Sequence, residues 1–537
     1  FSQEQRVFAT RWDRQVLGPV TPVSRIMKVV LACSGHIGHL NPMLVVAQAL
    51  VDLGHDVHFR SMETVRSKIE GTGATFHDVV LTQPEFYTGR DLSGPLGALE
   101  DVMNQHNLDS GDFLSHLRVY NVALEQQLPG AIRFLCELRP DVVVYDAIMT
   151  CRDIMCAAKV LKKPAVAMWT LAGPGAFATH SAATMLPLTL DEADGLVANF
   201  APHADAVERI NRTYGLQLCQ GLPQPAGKVD SFDAEAVLIT TSADLQDPMT
   251  PELAHAYEKD DVNFIYVGPL LADSTGTNKT ADDEVLQRVL CARAQGRLVV
   301  LVSMGTLIVS DHKLNGWDGR SGGSCLTGRQ LCHAVWGGTF DAFGSRSVEE
   351  GALLILSLGP KANPLGDLVT PPNAICVTSV NQQRILEAGV DVFLTHGGQN
   401  SFTEAMMYST PVVVCPGFGD QVLNSNKAVA LGVGLKVDRP QGDCDTEGVV
   451  ALKYRADVCQ ALLKVCAEQQ TFLTAARRCA ARLRKTGGIP SAVRVLLSVA
   501  AGGKSLEGIG LSGCSPKAGC SDCALPASHG AAPRAGV

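Results

Sequence analysis

Residues 390–421 have the sequence VDVFLTHGGQNSFTEAMMYSTPVVVCPGFGDQ, in which an apolar run meets a glycine turn and a polar helix start. The apolar run ends at Thr395 and predicts a buried strand. His396 follows, and Gly397 and Gly398 then allow backbone N–H groups to approach a ligand closely. A strand, a turn and a helix in this order form the repeating unit of a parallel α/β sheet, so the segment indicates the fold class.

The polar residues after the glycines have two interpretations. Asn400 and Ser401 would begin a helix, whose free N–H groups and positive dipole end favour a phosphate. Ser401 and Glu404 also fit S-x-x-E, the pattern of a capping box, which needs no ligand. A cap and an anion site can coexist because several N–H groups at a helix start are unpaired. The local sequence leaves both interpretations open.

Short apolar runs alternate with helical stretches over most of the chain. The alternation begins with a predicted strand at Lys28–Ala32, stops at the polar segment Leu271–Glu284, and resumes at Leu298–Val302. Strands that alternate with helices imply a parallel sheet. The sequence therefore predicts two tandem Rossmann-like, doubly wound α/β domains with a cleft between them.

The composition divides the chain into two domains and two irregular ends. We predict an irregular or disordered head at residues 1–26, an N-terminal domain at 27–275 and a C-terminal domain at 285–500. The tail at 503–537 is rich in Gly, Ala, Ser and Pro and predicts disorder. The polar, glycine-rich segment Asp311–Gly328 predicts an exposed loop in the second domain.

Charge and hydropathy exclude some classes of protein. The 537 residues carry a net charge of −9, which argues against a large nucleic-acid footprint because such a surface needs a basic face. The start of the chain lacks the apolar region of a signal peptide, and no run predicts a membrane span. We therefore expect a cytoplasmic protein.

The cysteine pattern is consistent with that expectation. Most of the 17 cysteines stand singly in apolar runs and predict free thiols in a reducing compartment. Cys514, Cys520 and Cys523 cluster in the tail and, with His529, could hold zinc, but their spacing matches no strong zinc pattern. We expect no bound metal.

A second polar site follows the first strand. His39 lies in the loop beyond the carboxyl end of that strand, where ligands bind in open α/β sheets. Asn41 would cap the next helix, and Pro42 suits its first turn. Asp146 ends another apolar run and would either orient a catalytic base or cap a helix.

From His396 onward the chain resembles the nucleotide-sugar signature of the family-one glycosyltransferases, the UDP-glycosyltransferase superfamily. That signature is H-x-G-x-N-S-x-x-E, followed by two prolines and an Asp/Glu-Gln pair at fixed spacing. The matching positions here are His396, Gly398, Asn400, Ser401, Glu404, Pro411, Pro416, Asp420 and Gln421. The resemblance implies the two-domain GT-B fold.

The resemblance also implies roles in donor binding. His396, Asn400 and Ser401 would hold the diphosphate, in a turn shaped by Gly397 and Gly398. A further set would complete the donor site: Glu404 on the ribose, Asp420 and Gln421 on the transferred sugar, Gln382 near the base, and Gly305 and Thr306 beside a phosphate.

One position departs from the family pattern. Ser379 stands where the family usually has a tryptophan that stacks on uracil, and no aromatic residue occurs between Gly344 and Phe393. Loss of one stacking platform weakens binding by roughly 1–3 kcal/mol, by analogy with base–aromatic stacking. Diphosphate-sugar binding is therefore better supported than uridine as the base.

In the first domain, residues 38–42 resemble the family's G-H-x-N-P segment, whose histidine is the general base. His39 would be that base, and Asp146 its partner; His36 has no position in the motif. The resemblance implies an inverting, metal-independent transfer of a hexose, with UDP-glucose the first candidate, to a hydroxyl of a small apolar acceptor. The UDP-sugar is a co-substrate, and no cofactor is expected.

Two other functions remain open at this stage. A nucleotide-sugar epimerase of related fold would need acid and base groups around the sugar. A non-catalytic nucleotide-sugar-binding subunit would need only one of the two sites. The presence of both His39 and the donor signature favours transfer. The oligomeric state and the acceptor are not predicted.

Overall fold

A computed structural model describes most of the chain. It covers residues 25–92, 97–148, 151–176, 188–222, 228–271, 281–312, 315–320, 324–441 and 447–502. The predicted head up to residue 24, the predicted tail from 503 and the cysteine cluster of the tail lie outside the described residues.

The first sheet has seven parallel strands in the order β3-β2-β1-β4-β5-β6-β7. The strands are β1 Lys28–Ala32, β2 Asp56–Ser61, β3 Thr75–Asp78, β4 Val142–Asp146, β5 Ala165–Trp169, β6 Ala236–Ile239 and β7 Phe264–Tyr266. Every residue of β4 and β5 is buried, as expected for a parallel sheet covered on both faces.

Helices connect these strands and cover both faces of the sheet. They are α1 Ile37–Asp52, α2 Arg66–Glu70, α3 Val79–Thr82, α4 Pro84–Tyr87, α5 Ala98–Gln105, α6 Phe113–Leu138, α7 Arg152–Val160, α8 Leu190–Ala198, α9 Ala201–Tyr214 and α10 Pro251–Lys259. Short 3₁₀ turns occur at Glu63–Val65, Asp230–Phe232 and Ala243–Leu245.

The second sheet has six parallel strands in the order β10-β9-β8-β11-β12-β13. The strands are β8 Val299–Ser303, β9 Leu353–Ser357, β10 Ala374–Val377, β11 Val392–Thr395, β12 Val412–Val414 and β13 Gly434–Lys436. The later helices are α11 Ala281–Ala294, α12 Gly305–Ile308, α13 Gly328–Phe343, α14 Gln382–Gly389, α15 Gln399–Met407, α16 Asp420–Ala430, α17 Glu447–Ala467, α18 Gln469–Arg484 and α19 Gly488–Ala500. The prediction of two doubly wound α/β domains is confirmed.

The strand orders fix where a ligand can bind. In each sheet the order reverses at one pair of neighbouring strands, β1 with β4 in the first sheet and β8 with β11 in the second. Ligands of open α/β sheets bind beyond the carboxyl ends of the strands at such a reversal. The predicted catalytic residues and part of the predicted donor site lie at or just after the carboxyl ends of these four strands.

The last helix lies elsewhere than its sequence position suggests. Helix α19 falls inside the predicted C-terminal domain of 285–500, yet its buried side chains pack in the core of the first sheet. Ala492, Val495 and Leu496 join the cluster that contains Val29 and Leu31. The apolar face of α19 covers a sheet surface that the N-terminal helices leave open.

The prediction of an exposed loop at Asp311–Gly328 is wrong for most of its described part. Asn315, Trp317 and Cys325 are buried. The ring of Trp317 lies 6.1 Å from that of Trp336, centroid to centroid, within the core of the second domain. One tryptophan among many polar residues anchors the segment, because burial of a large aromatic side chain outweighs the polarity of its neighbours.

The described residues agree with the expectation of free thiols. The cysteines among them are free thiols, including Cys33, Cys332 and Cys415 in the cores. Within the same described ranges, no helix is long and apolar enough to cross a membrane.

Candidate active site

His39 lies at the start of α1, beyond the carboxyl end of β1. The helix begins at Ile37, two residues earlier than His39, and its N-cap residue His36 makes no side-chain cap bond. The prediction that Asn41 caps this helix is therefore wrong, and Pro42 lies inside the helix instead of opening it. The buried Leu40 and Met43 hold this turn against the sheet, and they fix the position of His39.

The imidazole of His39 contacts a buried carboxylate. Its Nδ1 lies 3.3 Å from Oδ1 of Asp146, at the end of β4, and 3.0 Å from the hydroxyl of Thr170, which follows β5. The Asp146 side chain is 1% exposed, whereas that of His39 is 24% exposed. With the proton on Nδ1 held by Asp146, Nε2 is left as the basic nitrogen.

The alternative role of Asp146 as a helix cap is not seen. Helix α7 begins at Arg152 with Cys151 as its N-cap, whereas Oδ1 of Asp146 accepts from the N–H of Ile148 at 3.4 Å. Among the described residues, Oδ2 of Asp146 is buried and has no hydrogen-bond partner. His36 bonds to Ser34 at 3.0 Å and takes no part in this pair.

His396 lies between two glycines in the second domain. A Cβ atom added to Gly305 or to Gly398 would overlap the His396 ring, so both positions need glycine. Gly305 also has φ +75°, a conformation that side chains disfavour. Burial lowers the pKa of His396 to about 4, although a backbone bond to Ser303 opposes that shift. The ring is therefore neutral near pH 7. Thr306 follows Gly305 in the short helix α12.

The helix after the glycine turn begins without a capping box. Helix α15 starts at Gln399, and its N-cap Gly398 has no side chain to cap it. Gly397 has φ +83°, which turns the chain toward the helix. The alternative based on Ser401 and Glu404 is therefore wrong, because both residues lie inside the helix.

A carboxylate from another helix caps α15. Oδ2 of Asp420 accepts from the N–H of Gln399 at 2.7 Å. The N–H groups of Asn400 and Ser401 have no hydrogen-bond partner within the part of the chain described here. These two N–H groups and the helix dipole form a site that suits an anion.

Burial raises the pKa of Asp420 to about 6, against the opposing effects of the Gln399 N–H and of His39. The nearby charge of Asp247, in the first domain, adds to the rise.

Gln421 uses its Oε1 to accept from the N–H groups of Gly417, at 2.8 Å, and Phe418, at 3.2 Å. Its Nε2 is thereby oriented as the remaining donor.

Two glutamines hold Glu404. Gln382 donates to Oε2 of Glu404 at 2.5 Å and to the hydroxyl of Ser401 at 3.1 Å, and Gln383 donates to Oε1 of Glu404 at 3.1 Å. Burial raises the pKa of Glu404, and the two amide bonds oppose that rise. Sequence reasoning singled out Gln382 but missed Gln383, although both lie in the first turn of α14. The predicted base-side residue Ser379 is exposed.

Contacts across the cleft bring the two predicted sites together. The side-chain amide of Asn400 donates to the carbonyl oxygen of Gly38, one residue before His39. Lys427 of α16 lies 2.7 Å from Oδ1 of Asp247 in the first domain, and both side chains are buried. Sequence reasoning missed Lys427 and Asp247, for which no local pattern gives a signal. Within the described ranges, no group of three or more His, Cys, Asp or Glu side chains could hold a metal ion.

Comparisons with known proteins agree with this geometry. The model of the family "UDP-glucoronosyl and UDP-glucosyl transferase" matches residues 369–446, which include His396 and the Asp420–Gln421 pair. A curated relative, the "Uncharacterized UDP-glucosyltransferase YojK" of Bacillus subtilis (strain 168), is 22% identical over 409 residues, which are 75% of this chain and 83% of the relative.

Two solved structures share the fold over nearly all of their length. The glycosyltransferase of kitacinnamycin has a TM-score of 0.57 at 20% identity, and the alignment covers 88% of this chain and 99% of that one. The glycosyltransferase VinC in complex with dTDP has a TM-score of 0.54 at 16% identity, and the alignment covers 89% and 100% of the two chains. The predicted GT-B fold is confirmed. The family match, the curated relatives and this fold support a glycosyltransferase, an enzyme similar to the family-one glycosyltransferases of the UDP-glycosyltransferase superfamily.

Proposed function

We propose that the enzyme moves a hexose from a nucleoside-diphosphate sugar to a hydroxyl of a small, apolar acceptor, with inversion and without a metal ion. UDP-glucose is the first donor to test. One observation carries the proposal: the basic nitrogen of the His39–Asp146 pair and the free N–H groups at the start of α15 meet across one cleft. An acceptor hydroxyl and a leaving diphosphate need such an opposed arrangement.

The first-domain residues would activate the acceptor. Nε2 of His39 takes the proton of the acceptor hydroxyl while its oxygen forms a bond to the anomeric carbon. The carboxylate of Asp146, 3.3 Å from Nδ1, stabilises the imidazolium that results. Attack from the face opposite the leaving group breaks the bond to the diphosphate in the same step, so the anomeric centre inverts.

The second-domain residues would receive the leaving group. The electron pair of the broken bond passes to the diphosphate, which accepts hydrogen bonds from the N–H groups of Asn400 and Ser401. His396 is neutral and adds a hydrogen bond without a full charge. Because these groups can stabilise the departing charge, we expect activity to persist after dialysis against EDTA.

The nucleoside is the least constrained part of the donor. The relative YojK is named a UDP-glucosyltransferase, whereas VinC was crystallised with dTDP. Ser379 offers no ring on which either base could stack. Isothermal titration with UDP and dTDP would rank the bases, and a panel of UDP- and dTDP-sugars would then identify the donor.

Replacement of the proposed base tests the function most directly. His39→Ala should abolish transfer yet bind the donor with unchanged affinity by calorimetry, because His39 lies outside the diphosphate site. Equal loss of transfer and of donor binding would contradict the assignment of His39 as the base. Conversion of the donor sugar to its epimer without any acceptor would contradict transfer itself.

A further inference from the structure

Pro42 occupies an unusual position in the helix that carries His39. It lies inside α1, where proline removes one hydrogen bond of the helix and its ring crowds the carbonyl four residues earlier. That carbonyl belongs to Gly38. The Gly38 carbonyl, one residue before the proposed base, therefore lacks the hydrogen bond that it would normally accept within the helix.

The second domain supplies a hydrogen-bond donor for this carbonyl. The side-chain amide of Asn400 donates to the carbonyl oxygen of Gly38. A Cβ at Gly38 would lie 3.8 Å from Nδ2 of Asn400, an ordinary van der Waals contact, so the bond itself does not require glycine there. Asn400 stands at the start of α15, whose N–H groups form the proposed diphosphate site.

We infer that Pro42 is a positioning residue. Because it lacks an N–H, it leaves the Gly38 carbonyl free to accept from Asn400, and this hydrogen bond fixes the position of α1, which carries His39, relative to α15. The bond joins α1 to α15 through Gly38, one residue from His39. A shift of either helix would change the distance from His39 to the anomeric carbon, and misplacement of about 1 Å is enough to slow a reaction strongly. The inference rests on the proposed function, because it assumes that His39 and α15 act on the same donor.

Pro42→Ala separates this role from a structural one. Alanine restores the helix N–H, which then competes with Asn400 for the Gly38 carbonyl. The variant should melt at a higher temperature, because an interior proline destabilises a helix. Its kcat should fall by between about twofold and about a hundredfold, the range that interactions between contacting residues span, while the KM for the donor stays unchanged.

Pro129→Ala is the matched control. Pro129 lies inside α6, so its replacement also restores a helix N–H. The melting temperature should rise as it does for Pro42→Ala, but kcat should not change. A fall in kcat for both variants would show a general effect of helix stiffness and would overturn the inference.

Pro42 also lines the small cavity between the domains, together with Asn41, Glu404 and Asn400, so its ring could act as a wall. A double-mutant cycle with Asn400→Ala distinguishes the two roles. If Pro42 acts through the Gly38–Asn400 bond, Asn400→Ala will lower kcat less in the Pro42→Ala background than in the wild type. Independent, multiplicative losses would overturn the inference.

Two further outcomes would also overturn it: an unchanged kcat in Pro42→Ala, or a lower melting temperature. Failure of the proposed function is distinguishable from both, because it would appear as retained transfer in His39→Ala. A Pro42→Ala enzyme with the wild-type kcat beside an inactive His39→Ala enzyme would leave the proposed function intact and reject the role of Pro42 alone.

Discussion

The pair of His39 and Asp146 determines how activity should depend on pH. Burial lowers the pKa of His39, but the charge and hydrogen bond of Asp146, with the charge of Asp420, outweigh it and raise the pKa above its usual 6.5. A general base must be neutral before it accepts a proton. We expect kcat/KM to increase with pH through the His39 pKa, with its half-maximum above pH 6.5.

Asp146→Asn tests the cause of that midpoint. Asparagine keeps the shape of the side chain but removes the negative charge, so the pKa of His39 should fall. The rise of kcat/KM with pH should therefore occur at lower pH. The plateau of kcat/KM should fall as well, because the imidazolium is less stabilised. A half-maximum of kcat/KM that stays at the wild-type pH would contradict the electrostatic role of Asp146.

A second prediction at the scale of single residues concerns Gly305. At φ +75° an alanine is strained, and its Cβ would overlap the ring of His396. Gly54 is a matched control, since it has φ +83° but nothing within 4 Å of an added Cβ. Gly54→Ala should cost about 1–2 kcal/mol of unfolding free energy from backbone strain alone.

Gly305→Ala should cost about 1–3 kcal/mol more than the control, because it also forces the His396 ring aside. Chemical denaturation would measure the difference, and calorimetry should show weaker binding of the donor to Gly305→Ala only. Equal costs for the two variants would mean that His396 moves freely and that the glycine pair does not hold it.

At the scale of elements, the start of α15 shows what local sequence can and cannot predict. The strand, the glycine turn and the helix were predictable because their periodicity and their turn residues are local. The cap was not, because its carboxylate comes from Asp420, 21 residues after Gln399, whereas Ser401 and Glu404 mimic a capping box. Only the packing of α16 beside α15 brings the two together.

The burial of Asp420 also makes stability depend on pH. The pKa of Asp420 is raised to about 6 in the folded protein from its usual 3.8, so folding favours the protonated form. Its contribution is fully present below about pH 4 and is lost as pH rises through about 6. The difference between a pKa of 3.8 and one of about 6 corresponds to on the order of 3 kcal/mol of unfolding free energy.

Asp420→Asn should remove this dependence. Its amide oxygen can still accept from Gln399, but it carries no charge that burial opposes. In the absence of donor, we expect the variant to be more stable than the wild type above pH 6 and to bind the donor sugar more weakly. Denaturation curves recorded from pH 4 to pH 8 would test this, and parallel curves for the two proteins would contradict it.

At the scale of the whole molecule, the fold class could be predicted but the assembly of the domains could not. Alternating apolar runs predict parallel sheets, and family motifs place His39 and His396 at the two reversals of strand order. The contact of Asn400 with Gly38 joins residues 362 positions apart, and α19 returns to cover the first sheet. Such contacts depend on three-dimensional packing, which no local pattern contains.

The buried ion pair between Lys427 and Asp247 tests whether the two domains meet in this way in solution. The side chains are 8% and 3% exposed, so each charge depends on the other for compensation. Lys427→Met would leave Asp247 buried without a counter-ion, and such a loss costs about 3–5 kcal/mol of unfolding free energy. Lys427→Met combined with Asp247→Leu should recover most of that loss, because no buried charge remains.

Lys436→Met is the control for the buried pair. Lys436 forms a comparable 2.8 Å ion pair with Asp438, but the Asp438 side chain is 61% exposed, so its loss should cost less than about 1 kcal/mol. Chemical denaturation of the three variants would compare these costs. If Lys427→Met costs no more than Lys436→Met, water reaches Asp247 in the free enzyme and the domains separate before the donor binds. A cost several times larger would mean that the cleft is already closed around Asp420 and His39 when the donor arrives.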